Sequence, residues 1–155
     1  MNNSKKTLAF FLAITLVVGL LAGYLIYDHV DFYDTLNKPA ASPPKWLFPI
    51  VWNILYVIMS VAVNMVYSSG NAEIKRHALI LYGIQLGLNF LWPILFFRFE
   101  SLLLALYDIA ALWVVLLVIV IYFAKYNKYA SILFIPYLLW VSYASYLNFA
   151  VFLLN

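Results

Sequence analysis

The sequence predicts an all-α integral membrane protein, a five-transmembrane-helix bundle, from three observations. Of the 155 residues, 67% are hydrophobic and only 10% charged, whereas soluble domains carry roughly a quarter charged residues. A water-soluble domain of this length would leave the excess exposed as a large apolar patch. The apolar residues also fall into five long runs, each close to the roughly 20 residues that cross a bilayer as helix. A membrane barrel would instead show shorter segments alternating with period two.

The first span runs from about Thr7 to Tyr27. Lys5 and Lys6 ahead of it imitate a signal peptide, but small-residue cleavage spacing is poor around Ala22 and Gly23 and four more spans follow, so the segment reads as a retained helix. Asp28 to Lys45, with Pro39, Pro43 and Pro44, is the longest connection and is expected to form a loop over one end of the bundle. The second span covers about Trp46–Tyr67 and is closed by a turn at Gly70 and Asn71. The third covers about His77–Phe97. The link at Arg98–Glu100 is so short that the third span and the fourth, about Ser101–Ala124, must be antiparallel neighbours. The fifth covers about Tyr129–Leu154. Without an internal repeat, one transmembrane domain over residues 1–155 is the economical reading.

Charge orients the bundle and excludes several functions. Lys5, Lys6, Lys75, Arg76, Lys125 and Lys128 flank one side, against Lys38, Lys45 and Arg98 on the other. The positive-inside bias therefore expects a cytoplasmic N-terminus and an external first loop. A net charge of +3 is too small to suggest nucleic acid. The absence of cysteine excludes disulfides and thiolate metal sites. His29 and His77 lack a ligand-spaced partner, so no metal is expected, and no nucleophile, base and orienting acid can be assembled.

Three spans carry polar and aromatic residues at helical spacing. Trp52, Tyr56, Ser60 and Asn64 align on the second span, Gln85, Asn89, Trp92 and Phe96 on the third, and Trp140, Ala144 and Asn148 on the fifth. Such stripes suit a pocket for a large flat apolar ligand, with rings for contact area and amides for orientation. They also suit plain helix packing with amides as bridges. Asp108 is the one acid well inside an apolar run. It is either a functional carboxylate or a hydrogen-bonded tie to a neighbouring helix. Gly19 with Gly23 and Gly83 with Gly87 form GxxxG pairs, used for internal packing or for pairing between copies. Pro93 and Pro136 should kink their helices.

Three segments carry a family resemblance. The first is Tyr33, Lys38–Pro39, Ser42–Pro43–Pro44, Phe48–Pro49, Trp52, Leu55–Tyr56 and Met59–Ser60. The second is Gln85 to Asn89 with Trp92 and Phe96–Phe97. The third is Pro136–Tyr137–Leu138, Trp140, Ala144, Leu147 and Asn148. In this order they resemble the TspO/translocator-protein family, also called tryptophan-rich sensory or peripheral-type benzodiazepine receptor proteins, and Asp108 matches an acid of the family's fourth helix. The resemblance implies a five-helix bundle, usually a homodimer, whose cavity is capped by the first loop. It implies a receptor for porphyrins of the protoporphyrin IX type and for isoquinoline- and benzodiazepine-like ligands, with no required cofactor. Light-dependent porphyrin breakdown is a further implied activity, with Trp52 and Trp140 passing electrons or quenching the excited ring.

By motif, the implied ligand-binding residues are Tyr33, Pro43, Pro44, Trp52, Asn89, Trp92, Trp140 and Ala144, and the implied dimer face uses Gly83 and Gly87. Two departures matter. Ala41 stands where the family's loop tryptophan is expected, and Phe149 to Asn155 lacks the tyrosine and basic residue of the animal cholesterol motif. The resemblance is therefore to a bacterial member, in the cell membrane. Two other functions remain in view: a small transporter of porphyrins or other amphipaths, and a structural or partner-regulating membrane protein.

Overall fold

Side-chain caps set the hairpins. In the computed structural model, which describes residues 3–155, the Asn71 side chain accepts from the Ile74 amide at 3.0 Å, Ser101 from Leu104 at 3.4 Å and Asn127 from Ala130 at 3.1 Å. Each cap satisfies an amide that a helix start leaves unpaired, so a new helix begins directly after the last one ends. The result is α1 (Asn3–Ile26), a 3₁₀ turn (Tyr27–His29), short α2 (Phe32–Thr35), α3 (Leu47–Ser69), α4 (Ala72–Pro93), α5 (Leu102–Tyr126) and α6 (Lys128–Leu154). All five long helices have the length and hydropathy of membrane spans. The protein is an integral membrane five-helix bundle, as the sequence predicts.

Pro93 removes an amide from the ladder. The helix widens just after it into a π-helical turn over Ile94–Arg98, closed by the Phe99 amide donating to the Ile94 carbonyl at 3.0 Å. Pro136 sits within a continuous α6. Outward residues such as Leu20, Ile54, Val114 and Leu139 are exposed, as a lipid-facing surface requires. Inward, Met59, Val63, Leu116, Ile119, Phe134 and Tyr137 are fully buried.

Polar groups tie the helices where lipid offers no hydrogen bonds. α6 is fastened along α5 by Ser131 Oγ to the Val120 carbonyl (2.8 Å), Trp113 Nε1 to Ser142 Oγ (2.7 Å) and Asn148 Nδ2 to the Leu102 carbonyl (3.0 Å). Thr15, Ser60 and Tyr82 make a hydroxyl cluster joining α1, α3 and α4.

Gly19 of α1 lies against the Tyr56 ring, which a Cβ would strike. Gly19→Ala is therefore expected to lower stability by about 1–3 kcal/mol through overpacking, read as a fall in Tm in detergent. An unchanged Tm would mean that the ring can rotate away at no cost. At Gly23, Gly83 and Gly87 an added Cβ meets nothing within 4 Å, so none of the three is required for packing inside one copy.

Candidate functional site

The first loop folds down as a lid, because two of its apolar side chains are buried while its charges pair above them. Tyr33 and Leu36 are 8% and 9% exposed. The Tyr33 hydroxyl donates to the Pro43 carbonyl at 3.3 Å. Lys38 Nζ donates to the Tyr33 carbonyl at 2.8 Å and stands 4.4 Å from the centre of its ring. Burial pushes the Tyr33 phenol above its ordinary pKa of 10.0. The lid is braced within itself by one cluster and fastened to α6 and its C-terminal cap at two points. Lys45 pairs with Asp34, and with Asp31 at 3.3 Å. The Tyr143 hydroxyl donates to the Ala41 carbonyl. The Asn155 side-chain amide pairs with both backbone groups of Asn37, each at 2.9 Å.

The hydrogen bond to Asp34 raises the Lys45 ammonium above its ordinary 10.5. A raised cation pKa gives a contribution that is complete below the ordinary value and lost as pH climbs through the raised one. The lysine side of the clamp is thus charged at neutral pH and loses its charge only in strong alkali. An exposed pair of this kind is screened by salt and modest in strength. Lys45→Gln is expected to speed hydrogen exchange of lid amides 36–45 by a few-fold. Unchanged exchange would assign lid closure to the Asn155 and Tyr143 contacts.

Beneath the lid lies a small space of about 30 Å³ bordered by Tyr33, Ser42, Phe48, Trp92, Ala144 and Asn148, among others. It has room for about a water or two, far too little for a large planar molecule with the lid in this position. Phe48 is the hinge of the aromatic wall, edge-on to Tyr33 at 5.8 Å and to Trp140 at 6.1 Å. Trp92 stacks on Phe96 at 5.1 Å and donates from Nε1 to Asn148 Oδ1 at 3.0 Å.

A buried amide–phenol network forms the floor. Asn89 accepts from the Tyr56 hydroxyl at 3.1 Å and donates to the Tyr137 oxygen at 2.6 Å. Tyr137 donates to Gln85 Oε1 at 3.1 Å. Trp52 stands edge-on to the Tyr137 ring at 5.9 Å. Two donors near the lid are buried with no hydrogen-bond partner among the described residues: Trp140 Nε1 and Ser42 Oγ. Such groups are rare in native folds, and a ligand acceptor would satisfy them.

Of the residues marked by sequence, Tyr33, Trp92 and Ala144 border the space directly. Trp140 joins them through Phe48 and Pro43 through the Tyr33 hydroxyl, whereas Trp52 packs on Tyr137 in the network below and does not border the space. Pro44 is exposed on the lid. Asn89 is committed to the floor network, and the free space does not reach it. Phe48 and Ser42 border the space too, outside the binding set the motifs imply. Phe48 had a readable signal, since it extends the Trp52–Tyr56–Ser60 stripe by one four-residue step. Among the described residues Asp108 makes no tie to a neighbouring helix: it is 6% exposed and neither carboxylate oxygen has a partner.

The sequence model of the TspO/MBR family matches residues 11–154. The chain is 40% identical to a "Tryptophan-rich protein TspO" of Chlorobaculum tepidum over 100% of this chain and 99% of that one. It is 37% identical to a protein of the same description from Archaeoglobus fulgidus, over 99% of each. It is 32% identical to a "Translocator protein" of Sus scrofa, over 87% of this chain and 84% of that one.

Proposed function

The chain belongs to the TspO/MBR family, and from that premise we propose that it is a membrane receptor whose lidded aromatic pocket binds porphyrins of the protoporphyrin IX type and isoquinoline- or benzodiazepine-like ligands. The observation that carries this reading is the wall of Tyr33, Phe48, Trp92 and Trp140 beneath a latched lid, with the buried donors Trp140 Nε1 and Ser42 Oγ left unpaired. Aromatic faces supply stacking area for a flat macrocycle, and the unpaired donors suit its carboxylates or a drug carbonyl. The porphyrin propionates would point toward the lid, where Lys38 and Lys45 lie. Binding by this route requires the lid to open first, so association is slow and depends on the latch.

Light-dependent breakdown of the bound porphyrin is the second part of the proposal, with Trp52 and Trp140 as the residues that pass electrons to or quench the excited ring. Illumination with protoporphyrin IX should bleach the porphyrin faster than in detergent alone. Trp52→Phe with Trp140→Phe should abolish that excess while sparing dark binding. Bleaching unaffected by the double variant would withdraw the tryptophan role, and bleaching no faster than in detergent would withdraw turnover. A homodimer through Gly83 and Gly87 is proposed as well. Both glycines are exposed on one face of α4, where a second helix can approach closely.

A further inference from the structure

A second concavity lies at the opposite end of the bundle, far from the lid along α1 and α3. It is an open groove of about 440 Å³ lined by Lys6, Thr7, Phe10, Phe11, Tyr67 and Leu79. Its walls are apolar: Phe10 and Leu79 are 58% and 41% exposed, and Phe11 stands edge-on to Tyr67 at 5.6 Å. Its rim is cationic. Lys6 lines it, and Lys75 Nζ lies 5.3 Å from the centre of the Tyr67 ring. Helical spacing places Lys75 one turn from Leu79 on the same face. Neither lysine has a carboxylate within 4.0 Å among the described residues, and no acidic residue lines the groove.

Two uncompensated ammonium groups above an apolar trough, at the level where α1 and α4 begin and α3 ends, match one occupant by charge and shape. We propose that this groove binds an anionic phospholipid, its phosphate at Lys6 and Lys75 and an acyl chain along Phe10 and Leu79. A basic recess between spans at the headgroup level selects anionic headgroups. A zwitterionic lipid brings its own ammonium to the same place, so the two lysines gain little from it. This site is separate from the lidded pocket and does not depend on its ligand.

The test is native mass spectrometry of the full chain titrated with phosphatidylglycerol and with phosphatidylcholine of the same acyl chains. Phosphatidylglycerol should bind more tightly, and Lys6→Gln with Lys75→Gln should weaken it by about tenfold to thirtyfold without changing phosphatidylcholine. Lys125→Gln with Lys128→Gln, at the same end but off the groove, should change it by less than about twofold. Equal binding of the two lipids would overturn the proposal. So would equal losses in both double variants, which would indicate diffuse charge attraction. Lipid binding to the monomer that disappears as copies pair would show the groove covered by a second chain, and would overturn it too.

Discussion

Tyr137→Ala is expected to destabilise the protein by about 3–5 kcal/mol, the usual cost of deleting a fully buried aromatic ring. Tyr137 is 0% exposed. Its ring packs on Trp52 and Phe134, at 5.9 and 6.1 Å between ring centres. Its hydroxyl lies between Asn89 on one side and Gln85 on the other. Tyr137→Phe separates the two contributions. The ring remains, but Asn89 Nδ2 and Gln85 Oε1 lose their shared partner inside the bundle, where water does not replace it. Leaving buried polar groups unsatisfied costs about 1–3 kcal/mol. Thermal or denaturant unfolding in detergent checks both values. A Tyr137→Phe variant as stable as the parent would show that the floor network contributes packing only.

Ala144→Phe should weaken ligand binding by at least about a hundredfold while the chain still folds. Ala144 borders the space beneath the lid together with Tyr33 and Trp92. A benzyl group there occupies the volume a macrocycle would need, and overpacking adds about 1–3 kcal/mol of strain. Ala144→Gly is the control. It removes a methyl group, costs about 1 kcal/mol of helix propensity and should leave binding in place. Parental affinity in Ala144→Phe, with the Tm confirming a folded protein, would locate the ligand elsewhere.

Most of the architecture could be read from hydropathy, since lipid demands long apolar runs and hydrogen-bonded backbone. The ends of the spans could not. α1 is already helical at Asn3 and α4 starts at Ala72, each several residues before its apolar run, because hydropathy marks only the stretch that can cross lipid and not the polar turns of helix flanking it. The Asn71 cap was the local sign of the earlier α4 start.

The stripes of α3, α4 and α6, read from three- and four-residue steps, include Trp92, Ala144 and Asn148 beside the space and Tyr56, Gln85 and Asn89 in the network below it. What spacing cannot give is which side chains meet. Asn89, implied as a ligand contact, also bonds Tyr56 and Tyr137 in the packed bundle. The clasp between Asn37 and Asn155 joins residues 118 apart, and nothing local in either segment announces it. Asp108 marked itself as an intramembrane acid, but the lack of any partner is a property of the packed bundle.

Tryptophan fluorescence of the detergent-purified chain, titrated with protoporphyrin IX in darkness, tests the lidded-pocket receptor most directly. Saturable quenching in the micromolar range is expected, reduced in Trp52→Phe and Trp140→Phe and lost in Ala144→Phe. Quenching that never saturates, or that is the same in all three variants, would contradict an interior porphyrin site.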